Sequence, residues 1–580
     1  MVASPADPIL LSLFANRFMS VAEAMGVALQ KTSVSTNIKE RLDFSCALFA
    51  PNGDLIANAP HLPVHLGSMS FAVKFQIEHL GIGPDAPSGN GIEEGDVILT
   101  NAPKAGGSHL PDVTIITPVF DKVTKELIFF TASRGHHADV GGILPGSMPP
   151  TSTTIFEEGA QVTSFKIVKK GKFDQAGLVR HFVDIPASYT GSSGTRCFRD
   201  VNSDLQAQIA ANNKGIQLID AMIQEYTLET TLAYMTHIRN NAELSVRNLL
   251  REVAARHSSP EAILHRIEYM DDGTPIELNV TINAESGSAV FDFTGTGPEM
   301  WGSLNAPISI CYSAVIYCLR AMVNQDIPLN AGCLAPITLI IPPNSLLNPS
   351  ETCAVVGGNV TTSMRIVDVV LGAFKSAAAS GGCCNNLTFG TASWGMYETI
   401  ASGAGAGADW DGESGVHTHM TNTRITDPEV LERRYPVLLH EFSIRDGSGG
   451  DGLYRGGDGV VRDIEFLEPI QASILSERRV HRPYGMAGGQ PAKSGQNLWI
   501  KKTRKEDGDW KSENDPARII SIGGRATVKM GAGDHIKILT PGGGGWGAAG
   551  EKRAPKVGAT RQVFVPRGSL VDRQASQLGV

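Results

Sequence analysis

Residues 106–142, GGSHLPDVTIITPVFDKVTKELIFFTASRGHHADVGG, hold two apolar, β-branched runs around a polar centre. VTIITPVF (113–120) and LIFFTAS (127–133) read as antiparallel strands, and DKVTKE connects them. Folding about a centre near 123–124 sets Asp112 opposite Gly135 and His136 opposite Pro111, with His109 just beyond. His109, Asp112 and either His136 or His137 therefore converge at the open end of the hairpin. Two imidazoles and a carboxylate suit manganese, iron(II) or zinc. Three protein ligands also leave coordination positions free, as catalytic sites do. Gly106, Gly107, Gly141 and Gly142 let the backbone turn sharply there, and Asp139 is placed to orient a ligand histidine. A lone histidine would more simply be a polar hairpin end; three histidines and two aspartates at converging ends favour a metal.

Working outward, residues 8–31 carry apolar positions at helical spacing. RLDFSCALFA, PNGD and LIANA read as strand, turn and strand, MSFAVKFQIEHLG as a helix and GDVILTNAP as a strand. Ser203 with Gln206 fits a capping box that opens a helix, and a second helix runs from about 228 to 256 as its hairpin partner. Strands then fill 265–293, APISICYSAVIYCLRAMV is a buried helix, APITLIIPP a strand, and TTSMRIVDVVLGAFKSAAA a further helix. After Tyr435 short strands alternate with glycine-rich turns up to PGGGGWG. The fold class is mixed α/β (α+β) and multidomain. The expected parts are an N-terminal α/β region at 1–200, a helical hairpin at 201–260, a central α/β region at 261–434, a β-rich domain at 435–550 and a polar tail at 551–580.

Composition excludes several classes. The chain has 580 residues, 42% hydrophobic and 19% charged, a globular balance with room for more than one core. A net charge of −9 argues against nucleic acid as a partner and against a basic membrane surface. No apolar run is long enough to span a bilayer, and the start, MVASPADPILLSLF, lacks the basic, then apolar, pattern of a secretion signal; a cytoplasmic location is expected. The eight cysteines are scattered without a CxxC pair and read as reduced thiols, Cys383 and Cys384 as small buried residues.

Further polar clusters are candidates for substrate contact. His417 and His419 lie two apart in a loop feeding a helix that Asp427 caps and Pro428 starts. GGNVTTSMR enters its helix through glycines, bringing Asn359 to an end that favours anions. His61 and His65 are read as support residues, because Pro63 interrupts helical spacing between them. No Walker A sequence and no G-x-S-x-G elbow is present. The glycine-rich stretches 403–412 and 447–459 neither follow a strand nor open a helix, and are read as loops.

NIKERLDFSCALF, GGSHLPDVTIITPVF, SRGHHADVGGILPGSMPP, SDLQAQIAANNKGIQL, FDFTGTGPE, SGVHTHMTNTRITDPE and RGGDGVVRDIEF together resemble the hydantoinase B/oxoprolinase family, over about residues 8–548. The wording is nearest to the hydantoinase B half of eukaryotic-type ATP-dependent 5-oxoprolinases. That resemblance implies a hydrolase of the γ-glutamyl cycle of glutathione, opening 5-oxo-L-proline to L-glutamate. A hydantoinase A-type, kinase-like module binds ATP and magnesium and phosphorylates the amide oxygen; the B module takes the activated intermediate onward. In related acetone carboxylases the B-type subunit holds manganese through two His and an Asp, which fall here on His109, Asp112 and His136. Manganese is thus favoured, with zinc or iron as alternatives.

The same resemblance implies His137 or Asp139 as proton shuttle, and Arg134, Arg365 or Arg424 as holders of the substrate carboxylate or phosphate. It also implies a homo-oligomer. The chain has no kinase-like half and no DxGGT-type nucleotide loop, so a separate B subunit or part of a longer enzyme is expected, inactive alone. Alternative readings are the B subunit of an ATP-dependent hydantoinase or acetone-type carboxylase, an iron(II) oxygenase using a two-His, one-carboxylate triad, and a truncated non-catalytic partner.

Overall fold

The computed structural model describes residues 6–59, 61–256, 261–325, 327–502, 517–551 and 553. The first sheet takes its strands from β1 (Phe44–Phe49), β2 (Leu55–Asn58), β3 (Val97–Thr100), β4 (Asp112–Phe120), β5 (Leu127–His136), β6 (Phe165–Lys169) and β7 (Lys172–Phe173), in the order β2-β1-β5-β4-β3-β6-β7. It is antiparallel and covered on both faces, so its central strands are buried along nearly their whole length. Pleating divides them by period two. Ala47, Phe49, Ile116 and Phe130 pack with Leu66, Met69 and Val73 of the helix Pro63–Leu80. Cys46, Leu48 and Phe129 pack with Phe14, Phe18 and Met25 of the helix Pro8–Thr32 and Ala207 and Ala211 of the helix Phe198–Tyr226.

That last helix explains SDLQAQIAANN. Asp204, Gln208 and Asn212 recur every four residues on one buried face. Gln208 Nε2 donates to the carbonyls of Val113 and Ser133, and Asn212 Nδ2 to that of Ile115. Asp204 accepts from the Val34 amide at 2.7 Å. The helix starts at Phe198 rather than near Ser203, because Val201 and Leu205 bury in the adjacent core and hold the extra turn. The following helix, Leu228–Ala255, places Tyr234, Met235 and Ile238 in the core of the opening helix and Val246 and Leu250 in the central core, so it bridges two cores.

The second sheet runs β11-β10-β9-β8, from β8 (Glu261–Tyr269), β9 (Pro275–Asn283), β10 (Ser288–Asp292) and β11 (Ile337–Ile340). The helices Ile308–Met322 and Ser363–Ala373 fill the space beside it. The later strands are β12 (Asn386–Gly390), β13 (Gly395–Glu398), β14 (Val437–Ile444), β15 (Val460–Phe466), β16 (Ile470–Leu475), β17 (Gln496–Lys501), β18 (Arg518–Ser521), β19 (Arg525–Met530) and β20 (His535–Leu539). They form the sheets β13-β12-β16-β19 and β14-β15-β20-β17-β18. The first of these joins strands from both sides of the division expected at 434/435, so that division crosses a sheet. The expected tail at 551–580 lies outside the described residues except for 551 and 553.

The glycine-rich stretches read as loops are a packed body. Gly543 donates to Gly457 O, Gly457 to Ala404 O, Gly544 to Ala379 O, Ala406 to Gly544 O and Gly545 to Gln490 O, at 2.8–3.0 Å. Extended segments from five parts of the chain thus share backbone hydrogen bonds without forming strands, and Gly542–Gly545 is buried. A Cβ on Gly543 would strike the Ala404 carbonyl, and one on Gly456 the Gly543 carbonyl. The cysteines are free thiols, with Cys383 and Cys384 buried. Among the described residues no helix is long and apolar enough to cross a membrane.

Candidate metal centre

At the open end of the β4–β5 hairpin Asp112 is paired with His136, not with Gly135. A register shift between Val119 and Phe120 moves the pairing by one residue, which a fold about a fixed centre does not foresee. The one-residue slip brings the ligand types face to face. His109 Nε2 lies 3.1 Å and His136 Nδ1 3.2 Å from Asp112 Oδ1. All three side chains are buried. Yet His109 Nε2 and Asp112 Oδ1 have no hydrogen-bond partner. His136 Nε2 is likewise without a partner, and one ligand atom from each of the three residues lies within 4.8 Å of the others. Buried polar atoms left unpaired in this way are costly, and a donor set of two imidazoles and a carboxylate fits a cation.

The other atoms are tied down. Asp112 Oδ2 accepts from Ser108 Oγ at 2.5 Å and Asn359 Nδ2 at 3.0 Å, and lies 3.2 Å from His65 Nε2. His65 Nδ1 in turn meets Ser45 Oγ at 2.9 Å. His109 Nδ1 faces the Val356 carbonyl at 3.4 Å, which leaves Nε2 as the free lone pair. The His136 ring stacks on Tyr397 at 4.2 Å. Burial pushes the Asp112 carboxyl up, but His109 and His65 beside it outweigh that and hold it well below the usual range. Burial pushes His136 down to about 3, so it is neutral, as a ligand must be.

Among the sequence candidates, the structure brings together His109, Asp112, His136 and Asn359, whose Oδ1 has no partner. The remaining candidates are committed elsewhere. His137 turns to the opposite side and meets Gln208 at 3.0 Å. Asp139 closes its own loop, accepting from the amides of Gly141, Gly146 and Arg196 and from the Arg196 guanidinium. Neither has a hydrogen bond to the triad among the described residues. Arg134 is spent on Thr114, Ser68 and the Gly106 carbonyl, and Arg365 on the Tyr269 carbonyl and Glu477. Arg424 is exposed and meets Arg41 through its backbone. His419 faces Asp368 and Tyr317. His417, pushed down to about 4 by burial and then by Arg41, also stands outside the lining of the cleft beside the metal seat.

That cleft is lined by Asp43, His65, His136, Asn359, Tyr397 and Met420, among others, and has only about 20 Å³ of room for solvent. His65, read as a support residue, does support Asp112, whereas Asp43, Tyr397 and Met420 were not singled out from the sequence. His65 is inside a helix that Pro63 begins rather than interrupts. Asp43 precedes β1, and burial pushes its carboxyl up to about 7. The RLDF wording contains it, but no local spacing links residue 43 to a hairpin near 112.

The family model described as hydantoinase B/oxoprolinase matches residues 7–549. The chain is 55% identical over 553 residues to 5-oxoprolinase 1 of Arabidopsis thaliana, covering 94% of this chain but 42% of that protein. It spans about two-fifths of the length of such relatives. Two solved structures share the fold: an acetone carboxylase in nucleotide-free form (TM-score 0.81, 18% identity, 93% of this chain, 76% of that one) and an ATP-dependent caprolactamase from Pseudomonas jessenii (TM-score 0.78, 23% identity, 94% and 92%). The chain belongs to the hydantoinase B/oxoprolinase family.

Proposed function

We propose that this chain is the hydantoinase B-type module of a 5-oxoprolinase. It completes the ATP-dependent opening of 5-oxo-L-proline to L-glutamate with a hydantoinase A-type, kinase-like module, and is inactive without it. The observation that carries the reading is the 55% identity to a 5-oxoprolinase, aligned over a region that includes the buried triad. His109, Asp112 and His136 would hold a divalent metal, manganese for preference. When bound, such an ion supplies Lewis-acid polarisation of a carbonyl or phosphoryl oxygen. Ser108, His65 and Asn359 keep Asp112 ionised and oriented. The free Oδ1 of Asn359 is an acceptor for a ring N–H. Asp43, on the same cleft with its carboxyl pushed up to about 7 by burial, can hold or release a proton there.

The test combines the purified chain with a hydantoinase A-type module and follows glutamate from 5-oxo-L-proline. Glutamate is expected only with both proteins and ATP, and is abolished by Asp112→Ala together with the bound metal. A second reading, the B subunit of a two-chain enzyme for another cyclic amide, is favoured by the 92% coverage of the caprolactamase chain. Turnover of hydantoin or caprolactam but not 5-oxo-L-proline would replace the first reading with the second.

A further inference from the structure

A second set of ligand-type side chains stands on the C-terminal five-stranded sheet, on three adjacent strands: His440 on β14, Glu465 on β15 and His535 on β20. Pairing places His535 directly opposite Glu465. On the other side Leu438 is opposite Glu465 and Leu439 opposite Ile464, but Glu441 is opposite Asp463. His440 is thus the extra residue of a bulge, a device that re-aims a side chain. Here it aims the ring at Glu465: His440 Nε2 is 2.7 Å from Glu465 Oε2. His535 Nε2 approaches the same oxygen at 3.7 Å.

The remaining ring nitrogen of His535 is fixed. Its Nδ1 lies 3.1 Å from Asp463 Oδ1, so the proton sits on Nδ1 and the lone pair of Nε2 faces the cluster. A carboxylate behind a histidine in this way is the usual support of a metal-bound imidazole. The ligand atoms of the three residues lie within 4.8 Å of one another. Ligands of one tetrahedral zinc ion stand about 3.3 Å apart. The His440 and His535 rings stack at 4.5 Å between centroids, so joint coordination requires His440, whose side chain is 40% exposed, to turn out of that stack. Lys502 and Lys537 reach into the cluster, but Glu441, Asp463 and Glu465 outnumber them and keep it anionic.

We propose that His440, Glu465 and His535 form a second divalent-metal site, of the zinc class, on the outer face of this sheet. Two imidazoles and one carboxylate set the class, with nickel and copper(II) as competitors. An ion there pins the edge strand β14 to two inner neighbours. The site is independent of the hairpin centre and of the proposed activity.

The experiment titrates zinc ion alone into the full chain by calorimetry, in the Asp112→Ala background, so that the hairpin triad takes no part. One equivalent is expected to bind and to raise the unfolding temperature. His440→Gln and His535→Gln should each weaken that binding at least tenfold and remove the temperature shift. Cobalt(II) in place of zinc should give visible absorption that the same variants lose. Equal zinc binding with and without His440 and His535 would overturn the proposal, and so would no binding at all: the cluster is then a surface ion-pair network.

Discussion

The β4–β5 hairpin and the glycine body are built by opposite means. At the hairpin end the arrangement depends on which side chains are present: two rings and a carboxylate gathered as a candidate ligand set, backed by Ser108, His65 and Asn359. In the glycine body, structure depends on side chains being absent. Backbones approach so closely that a single methyl group at Gly543 or Gly456 meets a carbonyl. The first region is sensitive to the chemistry of its side chains, and the second to added volume.

The largest expected effect follows from that contrast. Gly543→Ala places a Cβ against backbone that has no free rotor to turn aside, and should destabilise the chain by more than about 3 kcal/mol. Thermal unfolding beside the parent protein reads this out; an unfolding temperature within a degree or two would break the contrast. A smaller effect is expected behind the triad. Asn359→Ala removes one donor from Asp112 Oδ2 and should weaken metal binding roughly 10–100-fold while the fold persists. Metal content and circular dichroism, measured together, separate those outcomes. The smallest is Gly447→Ala. This glycine has φ of +70°, and an added Cβ would meet only the flexible tip of Lys493 at 3.9 Å, so backbone strain of about 1 kcal/mol is the main cost. If Gly447→Ala proved as damaging as Gly543→Ala, torsion rather than volume would be the governing factor.

The same contrast explains what was legible in the sequence. The apolar, β-branched runs VTIITPVF and LIFFTAS, with His and Asp at the ends, give the hairpin and its candidate ligands from local pattern, with His136 and His137 as alternatives that only the family resemblance separates. The register was missed by one because a bulge inside a uniformly apolar strand, at Val119 and Phe120, leaves no residue signature. His65 and Asp43 reach the site from other elements, and sequence distance carries no trace of that contact. The stretches 403–412 and 447–459 read as loops because neither follows a strand nor opens a helix, and glycine is most simply explained by positive φ. Gly542–Gly545 do not have it; only Gly547 of that run does. Their reason for being glycine is a neighbouring chain from elsewhere in the fold, which no local rule supplies.

The last partner of that body is Pro541–Trp546, whose backbone pairs with Gly403, Ala379, Gly457, Gln490 and Tyr454. On a ribosome those earlier segments emerge well before their partner exists. Chains are made at about 5–20 residues per second, so the earlier segments wait for seconds without this partner, although some of them, such as Gly457 and Ala404, can already pair with each other. A nascent chain arrested just short of Pro541 is therefore expected to be cut by protease in the region from about residue 378 onward while its N-terminal sheet resists.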